Sequence, residues 1–158
     1  MIVKEIRDED FTSYKKPSMV IGFPSCTFKC EREYGCTGIC QNSDLTTAPN
    51  IRINFDDIVN RYMKNPITKS IIMAGLEPFD SWHHLSGLII ELRLKTTDDI
   101  VIYTGYKKEE ISYAVNWLTQ FPNIIIKYGR FIPNQQPHYD DVLGVKLASD
   151  NQYAEVIS

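Results

Sequence analysis

MVIGFPSCTFKC, residues 19–30, joins an apolar run to a pair of cysteines, and its reading sets fold and chemistry together. Met19 to Phe23 is short, apolar and stopped by Pro24, so it reads as a buried strand that runs straight into a loop. The cysteines therefore stand at the C-terminal end of a strand. All four cysteines of the chain lie in that loop, spaced Cys26-x3-Cys30-x5-Cys36-x3-Cys40. Thiolates are soft ligands that suit zinc and iron–sulfur clusters alike. Four would close a tetrahedral zinc site, whereas three would hold a four-iron cluster with one iron left open. On the cysteines alone, both readings stand.

Outward from this loop, apolar strands alternate with helices. Phe55, Ile58, Val59, Tyr62 and Met63 recur at helical spacing over Asn54 to Lys64, with Asn54 or Asp56 placed to cap the helix. Ser70 to Ala74 reads as a second strand stopped by Gly75 and Pro78. Leu85, Leu88, Ile89 and Leu92 mark a second helix. Ile100 to Tyr103 is a third strand ending at Thr104-Gly105, Ile111 to Leu118 a third helix, and Asn123 to Tyr128 a fourth strand. Such alternation predicts parallel strands joined by right-handed crossovers, hence an α/β layer or partial barrel with ligands at the strands' C-terminal edge. Arg130 to Asp141 reads as a loop, and a last strand is expected at Tyr153 to Ile157.

Composition narrows the possibilities. The 158 residues and 43% hydrophobic content fit one packed domain. A balance of 17 Lys+Arg against 20 Asp+Glu, net -3, argues against a surface built to neutralise nucleic acid. Charges scattered from Lys4 to Lys16 break any signal-peptide core or membrane span, so a cytoplasmic, reducing location is expected, with no membrane partner. In that setting the cysteines read as metal ligands or redox groups rather than a disulfide framework.

Cys26-Thr27-Phe28-Lys29-Cys30 after a first strand resembles the opening of the radical S-adenosylmethionine motif, whose usual form is C-x3-C-x2-C. Cys40-Gln41-Asn42 has the shape that follows the third cysteine in activases of anaerobic ribonucleotide reductases, and Cys36-Thr37-Gly38 does not. The resemblance thus selects Cys26, Cys30 and Cys40 as ligands in an expanded C-x3-C-x9-C loop, with Cys36 as an extra thiol. Ala74-Gly75-Leu76-Glu77-Pro78 resembles the family's G-G-E-P segment, with Leu76 in place of the second glycine. Tyr103-Thr104-Gly105-Tyr106 followed by Glu109-Glu110-Ile111 resembles its Y-T-G-Y segment and following helix start. Gly129-Arg130-Phe131, Gly144 and Ser149-Asp150-Asn151-Gln152 resemble a G-x-F…G…S-x-N-Q series.

The resemblance implies a single-domain partial (β/α) barrel of radical S-adenosylmethionine type, with a mostly parallel sheet. It implies a [4Fe-4S] cluster that reductively cleaves S-adenosylmethionine to a 5′-deoxyadenosyl radical. The radical's target would be a glycine in the large subunit of anaerobic ribonucleoside-triphosphate reductase, and the electron would come from a flavodoxin- or ferredoxin-type donor. Phe28, Ile39, Asn42, Ala74, Gly75, Leu76, Glu77, Tyr103, Thr104 and Gly105 are the implied cofactor-binding residues, with Glu77 and nearby backbone on the methionyl ammonium and Thr104 near the ribose or carboxylate. No side chain is implied as catalytic, because cluster and S-adenosylmethionine carry the chemistry. Other readings of the same residues are a different small radical enzyme, such as another glycyl-radical activase or a deazapurine synthase, and a zinc-stapled binding module. Arg130 reads as a carboxylate partner or a surface group; His83 and His84 read as packing or solvent-exposed residues.

Overall fold

The computed structural model describes residues 1–35 and 37–158; Cys36 lies outside the described residues. Strands β1 (Ile2–Val3), β2 (Glu5–Asp10) and β3 (Ser18–Phe23) are followed by helix α1 (Lys29–Tyr34) and strand β4 (Ile51–Arg52). Helix α2 (Phe55–Lys64), strand β5 (Ser70–Gly75), helix α3 (Trp82–Arg93), strand β6 (Asp99–Tyr103), helix α4 (Ser112–Leu118) and strand β7 (Ile124–Tyr128) continue the alternation. Strands β8 (His138–Asp140), β9 (Val145–Leu147) and β10 (Tyr153–Val156) complete the chain.

The main sheet has six strands in the order β10-β7-β6-β5-β3-β2, so the molecule is α/β. The four inner strands are parallel, and β2 and β10 close the edges antiparallel. Each crossover steps to the next position in one direction, so right-handed connections bring α2, α3 and α4 to the same face. Side-chain alternation agrees. Met19, Ile21, Ile71, Met73, Ile100, Ile102, Ile124 and Ile126 face those helices in one apolar core. Val20, Ile72, Val101 and Ile125 face the other way and pack against Tyr14, Leu143 and Leu147. Both faces of the inner strands are therefore covered, which is why they read as unbroken apolar runs rather than alternating ones.

The sequence reading leaves out β1 and β4, which pair with each other, and departs from the structure at three further places. β2, with the sequence EIRDED, is an edge strand whose charges hide it from any apolar pattern and also block edge-to-edge pairing. Within the stretch read as a loop, His138–Asp140 pairs with Val145–Leu147 as a short antiparallel hairpin that lies over the second face. The cysteine loop contains the one-and-a-half-turn α1, which starts at Phe28 in left-handed conformation, φ 51°, and ends at Gly35, φ 70°. Asn54 does occupy the N-cap position of α2, although its side chain makes no capping hydrogen bond there.

Candidate functional site

Because β3, β5, β6 and β7 are parallel, their C-terminal ends emerge at one edge of the sheet. That edge carries the cysteine loop after Phe23, the turn after Gly75, the turn after Tyr103 and the bend at Gly129. Gly75 has φ 92°, and a Cβ there would stand 2.6 Å from the Phe23 amide nitrogen and 2.7 Å from Gly22 Cα, so only glycine lets β5 turn against β3. The amides of Leu76 and Glu77 then donate to Phe23 O and Ser25 O at 3.1 and 2.8 Å, which sews this turn to the start of the cysteine loop. Leu76 keeps a negative φ, so its Cβ carries no conformational penalty at the position where the resembled segment has a second glycine.

A cleft of about 310 Å³ opens at this edge. Cys26, Cys30 and Cys40 line it together with Asn42, Ala74, Gly75, Leu76, Glu77, Tyr103, Thr104 and Gly105. Asn42 Nδ2 donates to Gly75 O at 2.7 Å and fixes the far end of the cysteine loop on β5. Phe28 and Ile39, also singled out from the sequence, do not line the cleft. Phe28 instead shapes the loop, its amide donating to Cys26 Sγ at 3.2 Å, and Ile39 is half-buried beside Cys40.

Glu77 is buried at 4% exposure, and its carboxylate is already occupied. Oε1 accepts from Thr104 Oγ1 at 2.8 Å and from the Phe79 amide at 3.2 Å; Oε2 accepts from the Gly105 amide at 2.9 Å. The side chain thus pins the turn after β6 to the turn after β5. Burial pushes its pKa up to about 7, against these hydrogen bonds, which favour the charged form. Thr104 is committed likewise, because its Oγ1 also accepts from the Tyr106 amide at 3.0 Å.

Lys127 is the site residue that the sequence reading passed over. It sits in β7 beside Tyr103 in parallel register, 7% exposed, and its Nζ donates to Gly129 O at 3.1 Å. Burial brings its pKa down to about 8, opposed by the Glu77 carboxylate. The only signal in the sequence is a lysine inside an otherwise apolar strand, NIIIKY. The Asn151-Gln152 segment supports this corner: Gln152 Nε2 donates to Gly129 O at 3.2 Å and Asn151 Nδ2 to Arg130 O at 2.9 Å. Arg130 is buried rather than superficial. Its guanidinium makes a two-pronged bond to Glu110 at 2.7 and 2.8 Å and approaches Glu33 at 3.3 Å, so its carboxylate partners belong to this chain. Neither His83 nor His84 lines the cleft.

Burial pushes the Cys26 thiol up to about 12, with the Glu77 and Asp80 charges adding to it, and raises Cys30 as well. Both are neutral thiols in the metal-free chain, so loading a metal group releases protons and is favoured by rising pH. Among the described residues, no three His, Cys, Asp or Glu side chains stand close enough to hold a single metal ion. A four-iron cluster spreads its ligands more widely than one ion does, and three half-buried thiols round one cleft are a donor set suited to it. Comparison with curated proteins and with solved structures returned no match. A family model does match, described as a 4Fe-4S single cluster domain, and it covers residues 19–152, from β3 to the end of the Asn151-Gln152 segment. The chain therefore belongs to the 4Fe-4S single cluster domain family.

Proposed function

We propose that this protein is a radical S-adenosylmethionine activase that forms a glycyl radical on the large subunit of an anaerobic ribonucleoside-triphosphate reductase. The observation that carries this reading is the convergence on one cleft of the three selected cysteines with residues 74–77 and 103–105, segments far apart in the chain. Cys26, Cys30 and Cys40 are the thiolates that hold a [4Fe-4S] cluster. When bound and reduced by a flavodoxin- or ferredoxin-type donor, the cluster supplies the electron that splits S-adenosylmethionine into methionine and a 5′-deoxyadenosyl radical.

The chain's own residues bind, orient and exclude water. Backbone groups of Gly75 and Leu76 offer the methionyl ammonium its contacts, since the Glu77 carboxylate is largely spent on Thr104, Gly105 and Phe79. The Lys127 ammonium, with one acceptor at Gly129 O, has donors left for a carboxylate. Tyr103 walls the cleft, and its hydroxyl is tied to Ser13 O. In this reading the four parallel strands, with helices on one face, correspond to the partial barrel of such enzymes, and the chain works as a single domain in the cytoplasm. Position is the protein's main contribution to such a reaction.

The test mixes the anaerobically reconstituted protein with its cognate reductase subunit, reductant and S-adenosylmethionine. A carbon-centred glycyl doublet by electron paramagnetic resonance, with 5′-deoxyadenosine formed alongside, is expected. Abundant 5′-deoxyadenosine without the doublet would point to another radical reaction. A colourless protein carrying one zinc would point to a zinc-stapled module.

A further inference from the structure

Asp80 lies in the single turn Pro78–Ser81 that follows the Glu77 segment, outside the stretches whose residues line the cleft. Its carboxylate is a bridge. Oδ2 accepts from the backbone amide of Thr27 at 2.6 Å, and Oδ1 accepts from the Tyr106 hydroxyl at 2.5 Å. Tyr106 Oη also lies 3.2 Å from Thr27 Oγ1, so carboxylate, phenol and threonine form a closed triangle. Thr27 stands between Cys26 and Cys30, followed by Phe28 at φ 51°, whose amide reaches the Cys26 sulfur. One side chain after β5 thereby anchors the first turn of the cysteine loop to the segment after β6. The far wall is held separately: Lys29 Nζ stands 4.5 Å over the Tyr106 ring and 3.2 Å from Glu110, and the Arg130 guanidinium lies 5.9 Å from the same ring.

We infer that Asp80 is a positioning residue for the metal group held by Cys26 and Cys30, and that its negative charge sets that group's reduction potential. The inference rests on the cluster ligands assigned above. Two physical arguments support it. An amide held by a carboxylate makes a short, charge-assisted hydrogen bond, so the Thr27 backbone, and with it the direction of both flanking cysteines, has little freedom. A fixed negative charge close to a redox centre disfavours adding an electron, and Asp80 is among the charges that act on the Cys26 sulfur. Tyr106 contributes through Asp80, since it orients the carboxylate without carrying charge itself.

Asp80→Asn keeps the shape and one acceptor but removes the charge, whereas Tyr106→Phe keeps the charge and removes one hydrogen bond. Both variants and the wild type are reconstituted with iron and sulfide under anaerobic conditions and titrated with redox dyes, following the reduced cluster by electron paramagnetic resonance. Asp80→Asn is expected to bind iron and sulfide like the wild type, with its midpoint moved to a less negative value. A tenfold rise in the reduced-to-oxidised ratio at fixed potential corresponds to about 59 mV for a one-electron couple. Tyr106→Phe should move it by less. An unchanged midpoint in Asp80→Asn, or a shift in Tyr106→Phe as large as in Asp80→Asn, overturns the role of Asp80 and leaves the cluster ligands standing. If the wild type takes up no iron and sulfide, the ligand assignment itself falls, and this inference with it.

Discussion

A carboxylate that is 4% exposed needs its hydrogen bonds, and Glu77 finds three of them within its own chain. Its raised pKa has a consequence for stability. Between the ordinary glutamate value of 4.5 and about 7, the native metal-free chain binds more protons at this site than the unfolded chain does. The Glu77 contribution is therefore fully present below pH 4.5 and is lost as pH rises through 7, a swing on the order of 3 kcal/mol. Glu77→Gln should flatten that slope; urea midpoints of the metal-free chain at pH 5 and 8 check it, and an unaltered pH slope would count against the assignment. The cysteines give a second residue-scale prediction. Serine at Cys26, Cys30 or Cys40 should abolish iron and sulfide uptake, whereas Cys36→Ser should leave it intact. The reverse behaviour of Cys36 and Cys40 would exchange their roles.

Among the elements, β5 and the turn after it govern the site, because Gly75 lets the strand end against β3 and present Leu76 and Glu77 to the cysteine loop. Gly75→Ala must relieve a 2.6 Å contact with backbone at a φ of 92°, so a loss of about 3 kcal/mol or more is expected in urea unfolding. A loss below about 1 kcal/mol would show that the turn can reform elsewhere. The inner strands and the three longer crossover helices were legible because period and apolar runs survive in sequence. β2 was not, since EIRDED carries charge at nearly every position and is held by pairing with β3 instead of by apolar burial. The β8–β9 hairpin was masked by Pro133 and Pro137 just ahead of it, although Val145 and Leu147 do supply an alternating apolar pair.

At the scale of the molecule, the hairpin and Tyr14 shield the face of the sheet that the helices leave bare. Leu143, fully buried there, is tied to the N-terminal segment through the Lys15 amide, which donates to Leu143 O at 2.8 Å. Leu143→Ala is expected to cost about 2–5 kcal/mol, as a core leucine would, even though it sits outside every helix and long strand. A cost near that of a surface substitution, within about 0.5 kcal/mol by urea unfolding, would mean that the hairpin is only loosely applied. With this face filled, the cleft lies open at the strands' C-terminal edge, and in the proposed reaction a partner's glycine would be presented there.

The sequence by itself determined the α/β alternation, the cysteine loop at a strand's end, and the two turns that meet it, because strand and helix periods and turn residues are local properties. It also singled out Asn42, Gly75 and Thr104, which the fold brings to the cleft. Only the tertiary structure decided how the side chains are spent. Glu77 is committed to Thr104 and Gly105, Arg130 to Glu110, and Asp80 to Thr27 and Tyr106, pairings that span 20 to 53 positions of chain. Lys127 likewise takes its buried place beside Tyr103 of β6 only through the strand order. The physical reason is that hydrogen-bond partnership and desolvation depend on which segments become neighbours, and parallel strand order, set by the global packing of both faces, makes those neighbours.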